Sequence, residues 1–312
     1  MSFRLRNNQS IGKNFRRLVG NQIENAQACL EPRQRIADQH VHDARKSLKR
    51  ARAALRLFQF AVAKAAFTRL NVTFRDAARP LTHARDAKVL LDTLGAVQEY
   101  FGDAASCIPT DALRRKLKGQ RTHIRRTIQG PATPLTSTRR RLQQALKDIE
   151  RTRVHDDGWN TLGPAIRRIY RRGRQALRES CTQRSDEQLH EWRKRVKYLW
   201  HALQILEPLR PALLEELADH AHKLADLLGD DHDLAVLTQR VLEVGAEQKP
   251  NEALIALIVT RRQALQERAL ALGERLFLDK PKRFESRLEG YWRRWQESQT
   301  TTMAASDAAM PV

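Results

Sequence analysis

Along nearly the whole chain apolar residues recur every three or four positions, β-branched alternation is absent, and Gly and Pro fall between the periodic stretches. This pattern predicts an all-α protein, with helices at 11–30, 34–60, 64–79, 85–101, 110–128, 136–153, 160–180, 186–207, 211–228, 232–247, 251–277 and 282–297. Residues 298–312 are mostly small or polar and lose the periodicity, which predicts a disordered tail.

The pattern also repeats. Ile11-Gly12 and Phe15 to Leu18 match Leu162-Gly163 and Ile166 to Ile169 at an offset of 151. Val41 to Phe58 then matches Leu189 to Leu206 at 148, and Asp86, Val89 and Leu90 match Asp233, Val236 and Leu237 at 147. At the same offset Arg114, Arg115 and Arg121 meet Arg261, Arg262 and Arg268, and Arg141-Leu142 meets Arg287-Leu288 at 146. Offsets that drift slowly in unbroken order indicate a duplication with small loop insertions and deletions. The chain therefore divides into two related helical bundles, 11–153 and 159–297, together forming one domain. They part near Val154 to Gly158, where Asp156-Asp157-Gly158 has turn chemistry.

The best-preserved part of the repeat carries its polar chemistry. At about 100° per residue, His42, Arg45, Lys46 and Lys49 lie in one stripe, as do His190, Arg193, Lys194 and Lys197. The opposite face is apolar in both copies: Leu48, Ala51, Leu55 and Phe58 correspond to Val196, Leu199, Leu203 and Leu206. Like charges one turn apart repel by roughly 0.2–0.5 kcal/mol per pair, so such a column favours a bound anion. A pseudo-two-fold relation between the bundles would bring the two stripes to a common axis and form one basic groove or pore. Arg16, Arg17, Arg167, Arg168, Arg114, Arg115, Arg121, Arg261, Arg262 and Arg268 are candidates to extend it.

Composition strengthens this picture: 57 Lys and Arg against 36 Asp and Glu give a net charge of +21 over 312 residues. Nucleic acid, anionic lipid and inorganic polyanions are all attracted by such an imbalance. The 41% hydrophobic content suffices for a folded core. Cys29, Cys107 and Cys181 are scattered and odd in number, the pattern of reduced thiols in a cytoplasmic protein, and read as small packing residues. The longest aliphatic run, Leu254 to Val259, is too short to span a bilayer, and no apolar leader core follows Met1, so neither membrane insertion nor export is expected.

Other clusters have structural readings. Asp230-Asp231-His232-Asp233 follows Gly229 at an expected helix junction, where acids cap the next N-terminus. Asp86 and Asp233 are placed to hold basic side chains by ion pairing. His42 and His190 have too few neutral ligands nearby for a metal site, and no metal or cofactor is expected. Tyr291, Trp292 and Trp295 read as core packing. No phosphate-binding glycine loop, zinc-protease motif or nucleophile elbow is present, so a binding protein is expected rather than an enzyme. A solvated basic face is the alternative reading of each stripe, and nonspecific nucleic-acid binding is the alternative function, disfavoured by the few aromatics among the stripes.

The H-x-x-R-K-x-x-K cassette, its repetition and the R-D-x-x-V-L element at Arg85 to Leu90 resemble the conserved histidine α-helical domain, or CHAD, family over about Ile11 to Trp295. The resemblance implies paired helical bundles and a module that binds inorganic polyphosphate and associates with polyphosphate granules; the E-x-E-x-K strand of the family's frequent triphosphate-tunnel partner is not found, so a stand-alone form is expected. It implies a ligand face of His42, Arg45, Lys46, Lys49 and Arg52 with His190, Arg193, Lys194 and Lys197. Trp200 stands where the first copy has Arg52, Tyr198 stands opposite Arg50, and His232 replaces the arginine expected before Asp233.

Overall fold

The computed structural model describes residues 2–31, 38–128, 134–155, 158–244 and 248–307, with side chains described except at 83–87, 124–128, 134, 244, 248–250 and 299–307. In the first half lie α1 (Ile11–Cys29), α2 (Asp38–Leu57), α3 (Lys64–Ala78), α4 (Pro80–Phe101), a single turn α5 (Asp103–Ser106), α6 (Asp111–Ile128) and α7 (Pro134–Arg151). The second half comprises α8 (Trp159–Thr182), α9 (Asp186–Leu206), a 3-10 turn at Glu207–Leu209, α10 (Pro211–Val244), α11 (Gln248–Leu276) and α12 (Pro281–Asp307). The fold is all-α, and among the described residues the one β-type pairing is an isolated bridge, Val62 to Val154.

Local chemistry sets the helix starts. Ser10 accepts a hydrogen bond from the Lys13 amide at 3.2 Å and Ser185 one from the Gln188 amide at 3.3 Å, each satisfying an otherwise orphan first-turn donor. Asp186 and Glu187 add negative charge at the positive end of α9. Pro80 opens α4, where its missing N–H costs nothing. Gly158 enters α8 at φ 51°, a left-handed conformation that favours glycine.

The halves correspond as the repeat predicts, α1 to α8, α2 to α9, α6 to α11 and α7 to α12, with one difference. Helices α3 and α4 are separate because Pro80 interrupts the hydrogen-bond ladder, whereas their counterpart α10 is one continuous helix of 34 residues. The junction expected at Gly229 does not form, since a lone interior glycine costs a helix only about 1 kcal/mol. The predicted capping role of Asp230 to Asp233 is thereby corrected: these residues lie inside α10. The Asp86 side chain lies outside the described residues.

Two hydrophobic cores hold the helices. The larger runs from Phe15, Leu48 and Leu55 through Leu142 and Ile149 to Ile166, Trp192, Leu203, Leu224 and Leu288. The smaller joins Leu90, Leu94 and Val97 of α4 and Leu113 and Leu117 of α6 to Leu234, Leu237 and Val241 of α10 and Leu254, Ile258 and Leu265 of α11. Both draw on both halves, so apolar burial binds the duplicated units together. Residues preceding the repeat reinforce this junction: the Leu5 amide donates to the Ile205 carbonyl at 2.8 Å, and the Phe3 ring sits edge-on to His201. Tyr291, Trp292 and Trp295 pack against the larger core, with Trp159 and Trp292 centroids 5.8 Å apart. Cys29 is half-buried there, but Cys107 and Cys181 are exposed, so only the first fits the packing role read from sequence. The α12 backbone stays helical to Asp307, into the segment whose lost periodicity predicts a tail, because extending an established helix is far cheaper than starting one.

Candidate anion-binding groove

Helices α2 and α9 pack against each other and bring the two basic stripes into one groove. The groove consists of two overlapping cavities. One, of about 360 Å³, is lined by Arg45, Lys49 and Arg52 of α2 and His190, Arg193, Lys194 and Lys197 of α9. The other, of about 340 Å³, is lined by His42, Arg45, Lys46 and Lys49 with Arg193, Lys197 and Trp200. Every cassette residue singled out from sequence therefore lines the groove. Arg52, near the end of α2, shares a cavity with His190, near the start of α9, and His42 shares the other with Trp200, so the helices cross head to tail. That is the expected result of a two-fold relation between duplicated helices.

The other walls come from α4 and α10. Thr82, Val89 and Leu90 close the Arg52 end, together with His232, Asp233 and Val236. Asp226, Gly229 and Asp230 close the Trp200 end. Gly229 has a steric role: a Cβ there would lie 2.9 Å from an Arg193 guanidinium nitrogen, so the bare backbone makes room for that cation. Asp233 lines both cavities among the cations.

Burial tunes these groups. Arg45 is buried in the groove wall, where a low local dielectric strengthens its attraction for an anion. The Arg52 Nε donates to Asn71 Oδ1 at 3.3 Å, and burial followed by neighbouring arginines lowers its pKa. Lys194 leans on Glu191. The His190 ring lies 4.4 Å from the His232 ring. Burial, then His232, Lys194 and Arg193, push its pKa down to about 4. His201, beneath the groove floor, falls to about 3, chiefly through burial, with the Gln204 hydrogen bond opposing and Arg50, Lys197 and Lys49 adding to the shift. Both rings are neutral at physiological pH; His190 brings one N–H donor rather than a charge, whereas the single N–H of His201 is donated from Nδ1 to Gln204 Oε1 at 3.0 Å.

The accessory arginines do not line this groove. Arg16 donates to the Glu150 and Thr152 carbonyls at 3.4 and 3.2 Å. Arg17 holds the N-terminal segment through the Ser2 and Arg4 carbonyls, Gln9 and Asn14. Arg167 pairs with Glu285 at 3.2 Å, Arg121 with Asp38, and Arg114 donates to Gln98. Arg261 stacks 3.8 Å from the Tyr100 ring centroid. Arg262 is clamped by Asp231, at 2.9 Å, and Asp186. Arg115 is exposed away from the groove. Arg268 lines a neighbouring cavity with Lys223, Asp226 and Asp230. Arg168 joins a small pocket with Arg56, Arg172, Arg195 and Tyr198 that abuts the Arg52 end. Burial alone raises the Tyr198 phenol pKa, but the adjacent Arg56 and Arg52 bring it below its ordinary value. Sequence reasoning named Arg168 but missed this arginine pocket; the i,i+4 pair Arg168 and Arg172 is the signal from which it was findable.

An all-helical domain of two duplicated bundles, with a cationic groove where its paired helices cross, is the class that fold and site define. Residues 17–242 match the CHAD domain family, and the chain belongs to it. Among curated proteins none matches. The solved structures that share the fold include two of low identity. PptA from Streptomyces chartreusis is 13% identical, with a TM-score of 0.60 over 87% of this chain and 100% of that one. The CHAD domain from the plant Ricinus communis is 18% identical, with a TM-score of 0.53 over 89% of this chain and 94% of that one. Among the described residues no helix is long and apolar enough to cross a membrane, and no cluster of three or more metal-ligating side chains occurs.

Proposed function

We propose that this chain is a binding protein for inorganic polyphosphate, that its ligand lies in the groove between α2 and α9, and that it associates with polyphosphate granules. The observation that carries this reading is the convergence of all the cassette cations, from two segments about 148 residues apart, on one continuous groove. A polyphosphate chain has roughly one charge per unit and no base edges, so charge and donor geometry suffice to bind it. Arginine forks take paired phosphate oxygens, lysines act as point charges, and release of condensed counterions makes binding steeply salt-dependent. Binding rather than catalysis fits a wall of cations in which burial holds the cassette histidine His190 neutral. Nonspecific nucleic-acid binding uses the same phosphate contacts and is the competing reading.

The test is substitution of Arg45, Lys46 and Lys49 by Ala, with affinity for long-chain polyphosphate titrated at several salt concentrations. Affinity is expected to fall at least about tenfold and the salt dependence to become shallower by about one ion per lost phosphate contact. The helical circular dichroism should be retained. A folded variant with unchanged affinity would refute the assignment of the groove.

A further inference from the structure

The cationic column of α2 continues past the Arg52 end of the groove. At about 100° per residue Arg45, Lys49, Arg52 and Arg56 lie in one stripe, and Arg56 stands one helical turn, about 6 Å, beyond Arg52. Arg56 lines the small pocket completed by Arg195 of α9 and by Arg168 and Arg172 of α8, and Tyr198 lines both this pocket and the groove. Four guanidinium groups thus surround a space of about 20 Å³, with no carboxylate among its lining residues. Their charges are little relieved. Arg195 shares Glu191 with Lys194, whereas Arg56 rests over the Tyr198 ring at 4.3 Å, its Nε buried without a hydrogen-bond partner among the described residues. Burial first, then Arg195, Arg168, Arg56 and Arg171, lower the Arg172 pKa, as like charges gathered in one place do. The other half does not repeat these cations. At the offsets of the duplication Arg56 meets Gln204, Arg195 meets Ser47 and Arg172 meets Asn21, while Arg17, opposite Arg168, is engaged with the N-terminal segment. The arginine pocket therefore adjoins one end of the groove only.

We infer that this pocket binds the terminal phosphate of a polyphosphate chain whose inner units occupy the groove. An inner unit carries about one charge, whereas a terminal phosphate ionises a second time with a pKa of about 6 and presents three acceptor oxygens. Four arginine forks converging on one small space match that doubly charged end, and a row of separate cations matches the inner units. A space of about 20 Å³ admits one such group and not a run of chain. The inference rests on the reading that the groove holds polyphosphate.

The experiment compares, at fixed salt and about pH 8, short polyphosphate with free ends and the same length capped at both ends as esters of a neutral alcohol, each competing for the full-length protein. Capping removes the second ionisation and leaves the inner units unchanged. Free-ended chains are expected to bind about tenfold more tightly than capped ones. In Arg168→Gln/Arg172→Gln that ratio should fall toward one, and a ratio, unlike either affinity alone, is largely insensitive to a general loss of positive charge. Arg172 is exposed, so Arg172→Gln by itself, expected to lower the ratio several-fold, gives the same reading if the double variant does not fold. Equal affinity of the two chains for the wild-type protein would overturn the inference, as would a preference that survives in the folded variant. Failure of both chains to bind would instead refute the function proposed above.

Discussion

His190 illustrates how one residue links ligand, protonation and stability. Its pKa of about 4 in the folded chain lies below the ordinary 6.5, mainly because of burial, and that of His201 lies lower, at about 3. Between these values and 6.5 the unfolded chain binds more protons than the folded one, so stability rises with pH. Their contribution is complete above about pH 6.5 and is lost as pH falls toward 4 and then 3. Polyphosphate beside His190 favours the imidazolium, so binding takes up a proton and tightens as pH drops below 6. Melting temperature and affinity are therefore expected to move in opposite directions between pH 6 and pH 4; affinity that does not change over this range would exclude His190 from ligand contact. Asp231 behaves differently: it is 2% exposed and accepts from Arg262 Nε at 2.9 Å and Gln266 Nε2 at 2.8 Å. Asp231→Ala leaves a half-buried guanidinium with Asp186 as its remaining acid and should cost about 2–3 kcal/mol in denaturant unfolding. The contrast marks what was legible at this scale. The cassette residues were readable because their phase recurs with the apolar face in both copies. The accessory arginines were not, because partners such as Glu150 for Arg16 or Asp231 for Arg262 lie far away in sequence and only folding shows that their donors are taken.

Among the elements, α10 departs furthest from its sequence pattern. Gly229 followed by three acidic residues within four positions has the composition of a helix junction, yet the helix passes through because nothing there removes a backbone donor. In the first half the break is real, and Pro80 causes it. Continuity of α10 places Gly229 against Arg193 and aims Asp230 and Asp233 into the groove. Gly229→Ala should raise helix stability by about 0.5–1 kcal/mol, since the clashing group is the mobile end of an arginine. It should also displace Arg193 and weaken polyphosphate binding several-fold. A double-mutant cycle with Arg193→Ala checks this: the glycine substitution should have no further effect on binding once Arg193 is gone. Close approach at Gly273, where a Cβ would lie 2.5 Å from the buried Trp192 ring, is a packing constraint of another kind, which neither periodicity nor charge reveals.

For the molecule as a whole, duplication supplies the site and shared cores fix it in place. The internal repeat, the all-α class and the meeting of the two stripes were all readable, because each follows from periodicity and matched phase. The merging of the halves was not. That Leu90 of α4 would share a core with Leu237 of α10 depends on how the bundles dock. Of the difference between the groove ends, only the replacement of Arg52 by Trp200 was visible, as a departure from the repeat; that Asp226 and Asp230 join Lys46 at the Trp200 end depends on how α10 is placed. The central claim is that this groove is built for a polyphosphate chain, and it is tested most directly by competition at fixed, near-physiological salt. Labelled long-chain polyphosphate is displaced by unlabelled polyphosphate, single-stranded RNA or duplex DNA at equal phosphate concentration. Polyphosphate is expected to compete at least tenfold better than either nucleic acid. Equal competition by RNA or DNA would contradict the account and make the protein a general binder of phosphate polyanions.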